Sequence, residues 1–152
     1  MSAEERLQEL GLELPEPARP LGSYVTIVRT GNLLFTAGHL PAAVNGKSWQ
    51  GKVGAEYSIE EGAEAARLTG LNILATVKDA VGSLDQVARV VKLTGFVNSA
   101  SGFSQQPAVI NGCSDLFGEV FGDAGRHARS AVGVSELPLD TPVEIEAIIE
   151  VR

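Results

Sequence analysis

The alternation from Val143 to Val151 constrains the fold more tightly than any other feature. Val143, Ile145, Ala147, Ile149 and Val151 alternate with Glu144, Glu146, Ile148 and Glu150. A period of two specifies a β-strand with one buried face, because successive side chains point to opposite sides. Before it, Leu137-Pro-Leu-Asp-Thr-Pro142 reads as a turn or crossing loop. An earlier apolar run, from Arg129 to Val134, opens with an arginine, as the later one opens with Glu144. That arginine and that carboxylate, each at a strand end, are the first candidates for chemistry.

The other elements follow from spacing. Residues 2–11 read as a short helix with Leu7 and Leu10 on one face and Gly11 as its cap. Leu14-Pro-Glu-Pro-Ala-Arg-Pro20 is a connector too rich in proline for helix or central strand. Tyr24–Arg29 and Leu33–Ala37 form a hairpin around Thr30-Gly31-Asn32. Residues 42–57 read as a glycine-rich loop containing Trp49, the single tryptophan.

Ser58-Ile-Glu-Glu61 is a capping box that starts a helix running to about Val81. Ile59, Ala63, Ala66, Gly70, Ile73, Val77 and Ala80 form its apolar stripe. Val87–Val97 is a buried strand. Ser104 to Phe121 is a second helix, with Val109, Cys113, Leu116, Phe117 and Val120 inward. Gly122-Asp-Ala-Gly125 stops it. Two strand–helix–strand crossovers then require a mixed sheet with both long helices on one face, an α+β fold. The other face needs a cover, and a second copy of the chain is the natural one.

Composition bounds the function. With 152 residues and 44% hydrophobic content the chain is read as one globular domain, able to bury roughly 68–70% of its unfolded surface. No apolar run approaches the ~20 residues of a membrane helix. The start, Met1-Ser-Ala-Glu-Glu-Arg-Leu, lacks a signal-peptide pattern. One cysteine permits no internal disulfide, which suits a reducing cytoplasm. A net charge of -7 disfavours nucleic acid but leaves room for a small anion held by local arginines. Two histidines and one cysteine, widely spread, give no metal-ligand spacing. Cys113 reads as a packed thiol.

Taken together, Gly22-Ser-Tyr24, Thr36-Ala-Gly-His-Leu-Pro41, Gly95-Phe-Val-Asn98, Asn111, Ala128-Arg-Ser130, Leu137-Pro138 and Val143-Glu-Ile-Glu-Ala147 resemble the reactive-intermediate deaminase (Rid, YjgF-like) superfamily. The likeness runs from about Ser23 to Arg152 and is greatest to its longer, endoribonuclease and chorismate-mutase-like branch. It implies a chorismate-mutase-like homotrimer with a ligand cleft at each subunit interface. On this division, residues 1–20 are an N-terminal helix and connector, and 21–152 the YjgF-like domain. It further implies hydrolysis of enamine and imine intermediates, of the 2-aminoacrylate type, to 2-keto acids and ammonia.

By the same resemblance Arg129 binds the substrate carboxylate and Glu144 handles the attacking water. Tyr24, Gly38, Asn111 and Ala131 fall at substrate-binding positions. Two departures stand out: Ala37 replaces a common serine, and Ala131 a common cysteine.

The chemistry suits these residue types. Arginine offers a planar fork to a carboxylate. An imine is already electrophilic, so one carboxylate that manages protons is enough, with no metal or organic cofactor. The residues alone leave other readings open. Arg129 also reads as a structural ion-pair arginine, Glu144 as a solvated strand residue, and Tyr24 as a core or interface aromatic. The rival functions are a non-catalytic sensor of small keto or amino acids at the same cleft and, third, an endoribonuclease.

Overall fold

The computed structural model describes residues 1–41, 43 and 46–152. Helix α1 (Ala3–Glu9) opens with a capping box between Ser2 and Glu5. It closes on Gly11 at φ 68, where Leu12 N–H reaches Leu7 O at 3.0 Å and Gly11 N–H reaches Gln8 O at 3.0 Å. Leu7 is buried, but Leu10 is exposed, against expectation. The reversal after Gly11 turns the chain so that Leu12 and Leu14, rather than Leu10, pack on the core.

Strands β1 (Ile27–Thr30) and β2 (Leu33–Thr36) form the expected hairpin around Gly31-Asn32. β1 starts three residues later than the sequence predicts. The chain is bent at 21–24, where the Tyr24 hydroxyl accepts the Leu21 N–H at 3.2 Å, so Tyr24 is not in the ladder. Helix α2 (Ile59–Val81) begins at the predicted capping box of Ser58 and Glu61. Ala80 is exposed, correcting that end of the stripe, because Val81, four residues on from buried Val77, packs against the core in its place. Helix α3 (Gln106–Phe121) starts two residues after Ser104. Pro107 sits in its first turn, the one helical place proline favours.

Strand β3 (Val87–Asn98), β4 (Ala128–Val134) and β5 (Val143–Val151) complete one five-stranded sheet of order β1-β2-β5-β3-β4. β3 and β4 are parallel and the other pairs antiparallel. The sheet is therefore mixed, and both long helices cover one face, as the crossovers require. β5 lies between β2 and β3, with Val143, Ile145, Ala147, Ile149 and Val151 all buried. Leu7 shares this single core, so the N-terminal helix packs as part of the same unit.

The 42–57 loop reaches into the core, where Val53 and the Trp49 ring are buried and Val53 bridges to Ser99. Ala42, Val44 and Asn45 of that stretch lie outside the described residues. On the open face of the sheet Val28, Phe35 and Val132 are exposed. Among the described residues no helix is long and apolar enough to cross a membrane.

The two long helices touch almost backbone to backbone. A Cβ built on Gly112 would lie 1.9 Å from the Ala63 carbonyl oxygen, and one on Gly70 would lie 3.0 Å from Cys113 Sγ. The obstacle at Gly112 is main chain and cannot rotate away. Gly112→Ala should therefore destabilise the fold by roughly 3 kcal/mol or more, measured as a fall in the denaturation midpoint. Gly118, with nothing near its Cβ position, is the control: Gly118→Ala should leave the midpoint unchanged or raise it.

Candidate functional site

Arg129 stands on β4 opposite Leu93, which is fully buried beneath the helices, so its side chain points to the helix face. There Nη1 donates to Asn111 Oδ1 at 2.7 Å and to Ser114 Oγ at 3.1 Å. Both hydrogens on that nitrogen are thus used. Nε and Nη2 make no hydrogen bond among the described residues, so the side-on edge of the guanidinium is open, in a geometry that matches a carboxylate. The predicted Arg129 and Asn111 are in direct contact.

Two polar residues in this cluster were not singled out from the sequence as site residues. Ser114 Oγ lies 2.9 Å from His127 Nε2, and His127 Nδ1 lies 2.7 Å from Gly125 O. The carbonyl can only accept, so Nδ1 carries the proton and Nε2 accepts from the serine hydroxyl. Burial, with the Arg129 charge adding to it, holds the His127 pKa below its ordinary value despite the bond to Gly125. The neutral form fits its role as acceptor. The signal was present in the sequence: Asn111 and Ser114 are one helical turn apart, and His127 and Arg129 are alternate residues of the chain.

Glu144 belongs to a different place. It pairs with Phe96 on β3, three positions along from Leu93, and so points to the sheet's other face. Beyond the end of β2, Gly38 passes directly over it, and a Cβ there would fall 2.2 Å from Glu144 Oε2. Any side chain at position 38 would therefore displace the Glu144 carboxylate from its present place. Tyr24, Gly38 and Glu144 line one cavity of about 750 Å³, together with Arg19, Leu40, Asn72 and Leu139. The Glu144 pKa is raised, first by partial burial and then by repulsion from Glu146.

Within one chain, then, the predicted residues form two groups. Arg129, Asn111 and the half-buried Ala131 lie on the helix side of β4 and α3; Tyr24, Gly38 and Glu144 lie at the cavity. β3 runs between them, and strand spacing and rise put the Arg129 and Glu144 backbones ~14 Å apart on opposite faces.

This fold and these residues coincide with a known group. Residues 4–150 match the family described as "YjgF/chorismate mutase-like, putative endoribonuclease". The chain belongs to the YjgF-like family. The protein TCP17 of Trypanosoma cruzi is 45% identical over 147 residues, covering 96% of this chain and 92% of that one. The 2-iminobutanoate/2-iminopropanoate deaminase of Escherichia coli K12 is 36% identical over 128 residues, covering 84% and 87%. The crystal structure of Atu1372 from Agrobacterium tumefaciens, of unknown function, superposes with a TM-score of 0.89 at 45% identity, covering 99% of this chain and 92% of that one.

In this YjgF-like chain the two departures occupy different settings. Ala37 lines the cavity, and its carbonyl accepts from His39 Nδ1 at 2.7 Å. His39 Nε2 meets Thr76 Oγ1 at 2.8 Å, so the buried ring ties the cavity floor to α2, and burial lowers its pKa. Ala131 pairs with Gly95 and packs against the core. Cys113 is wholly buried with its pKa pushed far up by desolvation, the state of a packed thiol.

The raised Glu144 pKa has a consequence for stability. The native state holds this proton more tightly than the unfolded chain, so stability falls as pH rises from the ordinary glutamate value through the raised one. Glu144→Gln removes that cost. Its thermal midpoint should exceed the parent's at pH 7, and the gain should disappear below about pH 4.3, the unperturbed glutamate pKa. An equal gain at every pH would refute this account.

Proposed function

We propose that the protein hydrolyses enamine and imine intermediates of amino acids to 2-keto acids and ammonia, in a cleft completed between two copies of the chain. One observation carries the reading: the guanidinium edge left open at Arg129, set by Asn111 and Ser114, is the fork that an imino-acid carboxylate requires. The 36% identity to an imine deaminase supports the reaction class. In the proposed assembly Arg129 of one protomer meets the Glu144 cavity of its neighbour. Such a contact joins different patches on the two copies, and a ring, here a homotrimer, closes it. The exposed Val28, Phe35 and Val132 on the open face give that ring apolar surface to bury.

The steps balance without a cofactor. An enamine first takes a proton on its terminal carbon and becomes the protonated imine. Water then adds its oxygen to the imine carbon as Glu144 accepts one of its protons. The nitrogen takes up that proton, the C–N bond breaks with the electron pair leaving on ammonia, and loss of the hydroxyl proton gives the keto acid. A carboxylate whose pKa is raised above its ordinary value, here by partial burial and the nearby Glu146, is better matched to both taking and returning a proton. A sensor using the same cleft would need Arg129 but no proton carrier. The overall charge of -7 gives the endoribonuclease reading no comparable support.

The deciding assay generates 2-aminoacrylate in situ and follows keto-acid and ammonia release above the spontaneous rate. The parent should accelerate release. Arg129→Ala should lose roughly 10²-fold or more in kcat/KM, since two charge-assisted bonds go with it. Glu144→Gln should bind a 2-keto acid but not turn over, whereas a sensor would show no turnover in any form. Co-expressing the two inactive variants should restore about a quarter of parental activity, because random assembly in a ring pairs a wild-type Arg129 with a wild-type Glu144 at that frequency. No restoration would refute a cleft that draws Arg129 and Glu144 from different copies.

Ser114 gives a finer test. Ser114→Ala keeps the charge of Arg129 but loosens its orientation, so KM should rise severalfold with kcat little changed. Ser114→Thr, which keeps the hydroxyl, should restore the parental KM.

A further inference from the structure

We propose that the Glu144 cavity takes imino acids with bulky apolar side chains, and that Leu139 sets this preference; the inference rests on the hydrolase reading above. The first observation is size. 2-Aminoacrylate has three carbons, one nitrogen and two oxygens. At no more than about 30 Å³ for each atom, the share of a water molecule, it fills roughly 180 Å³. The cavity measures about 750 Å³ in the single chain. Even with part of that volume taken by the neighbour's Arg129 in the proposed assembly, room remains beside the reacting atoms for a side chain several carbons long.

The second observation is the nature of the walls. Leu21, Tyr24, Val25 and Leu139 are large apolar side chains exposed in the single chain, and all four line this one cavity. They come from two distant segments, one before β1 and one before β5. Apolar groups converging from separate segments on one concavity, with a few polar groups at its floor, form a pocket built for an apolar ligand group.

The third observation is strain at Leu139. It sits at φ 58 and ψ 18, and Asp140 follows at φ 55, two successive non-glycine residues in the left-handed region. Glycine would suit this backbone better. The turn is held from outside. Buried Asn98 donates from Nδ2 to Asp140 Oδ1 and to Thr141 O, each at 3.1 Å, and Gly51 N–H donates to Asp140 O at 2.8 Å. The result is a leucine with 68% of its surface uncovered on the cavity wall. An over-determined, strained turn that projects an apolar side chain into a cleft is a device for shaping what binds there.

The test uses the intact protein and imino acids generated in situ from alanine, leucine and phenylalanine by an amino-acid oxidase, with rates read above the spontaneous baseline. Each methylene moved into an apolar wall is worth about fourfold. The kcat/KM for the leucine and phenylalanine imines should therefore exceed that for the alanine imine by at least about tenfold. Leu139→Gly should cut that ratio by about tenfold. Its thermal midpoint should hold or rise, since glycine relieves the left-handed strain.

Equal or greater efficiency on the alanine imine overturns the inference while leaving the hydrolase reading intact. So does a ratio unchanged in Leu139→Gly. Loss of the parental oligomer in that variant would make Leu139 an interface residue and also overturns it. Acceleration of none of the three imines overturns the hydrolase reading, and the inference with it.

Discussion

Strand β5 is hydrogen-bonded along both edges, to β2 and to β3, and its two faces are bound to different tasks. Every second residue is sealed against the helices, so the strand cannot slip by one position without burying its glutamates. That lock is what holds Glu144 on the open face. The same parity, transmitted through β3, sends Arg129 to the opposite face. Residues 93 and 96 differ by an odd number, and their partners therefore diverge. The division of the candidate site into two halves follows from the pleat of one sheet.

Each half is then tuned by close packing. On the helix side, the contact of α2 with α3 at Gly112 and Gly70 brings α3 down onto the sheet. Gly95 continues this inward approach, for a Cβ there would strike Ile110 at 2.6 Å. Asn111 and Ser114 are thereby carried to within hydrogen-bonding reach of β4. On the cavity side, Gly38 lets the chain cross Glu144, and buried His39 fixes the crossing through Thr76. Side chains removed from the backbone at four glycines set the positions of the polar groups that remain.

The main elements were legible because each had a local cause. The capping box at Ser58 and Glu61 marks the start of α2, and the strict alternation after Pro142 marks β5. Misreadings cluster where a long-range or side-chain contact overrides the local pattern. Tyr24-Val-Thr has the composition of a strand, yet the tyrosine hydroxyl bends the chain back onto Leu21. Leu10 falls at helical spacing from Leu7, but the turn at Gly11 hands its place to residues 12 and 14. Ala80 lies three residues on from Val77, but Val81, four on, takes the place against the core. The candidate residues Arg129 and Glu144 are legible through motif order rather than periodicity. Their separation within one chain needed the strand register, which no sequence pattern states.

A site divided between sheet faces also separates two physical demands. On the proposed reading Arg129 keeps one orientation to accept a carboxylate, and it has a short rigid network: Asn111, Ser114 and a neutral His127 tied to a backbone carbonyl. In the proposed reaction Glu144 changes protonation state. It has no hydrogen-bond donor among the described residues that would hold it ionised, only partial burial and a like charge that make the proton easier to keep. A donor network around Glu144 would lower its pKa and make it a poorer base. A looser setting for Arg129 would spend ligand affinity on ordering the side chain. Placing fixed charge on the packed face and labile charge at the open cavity satisfies both, and a single chain therefore holds each capability without combining them.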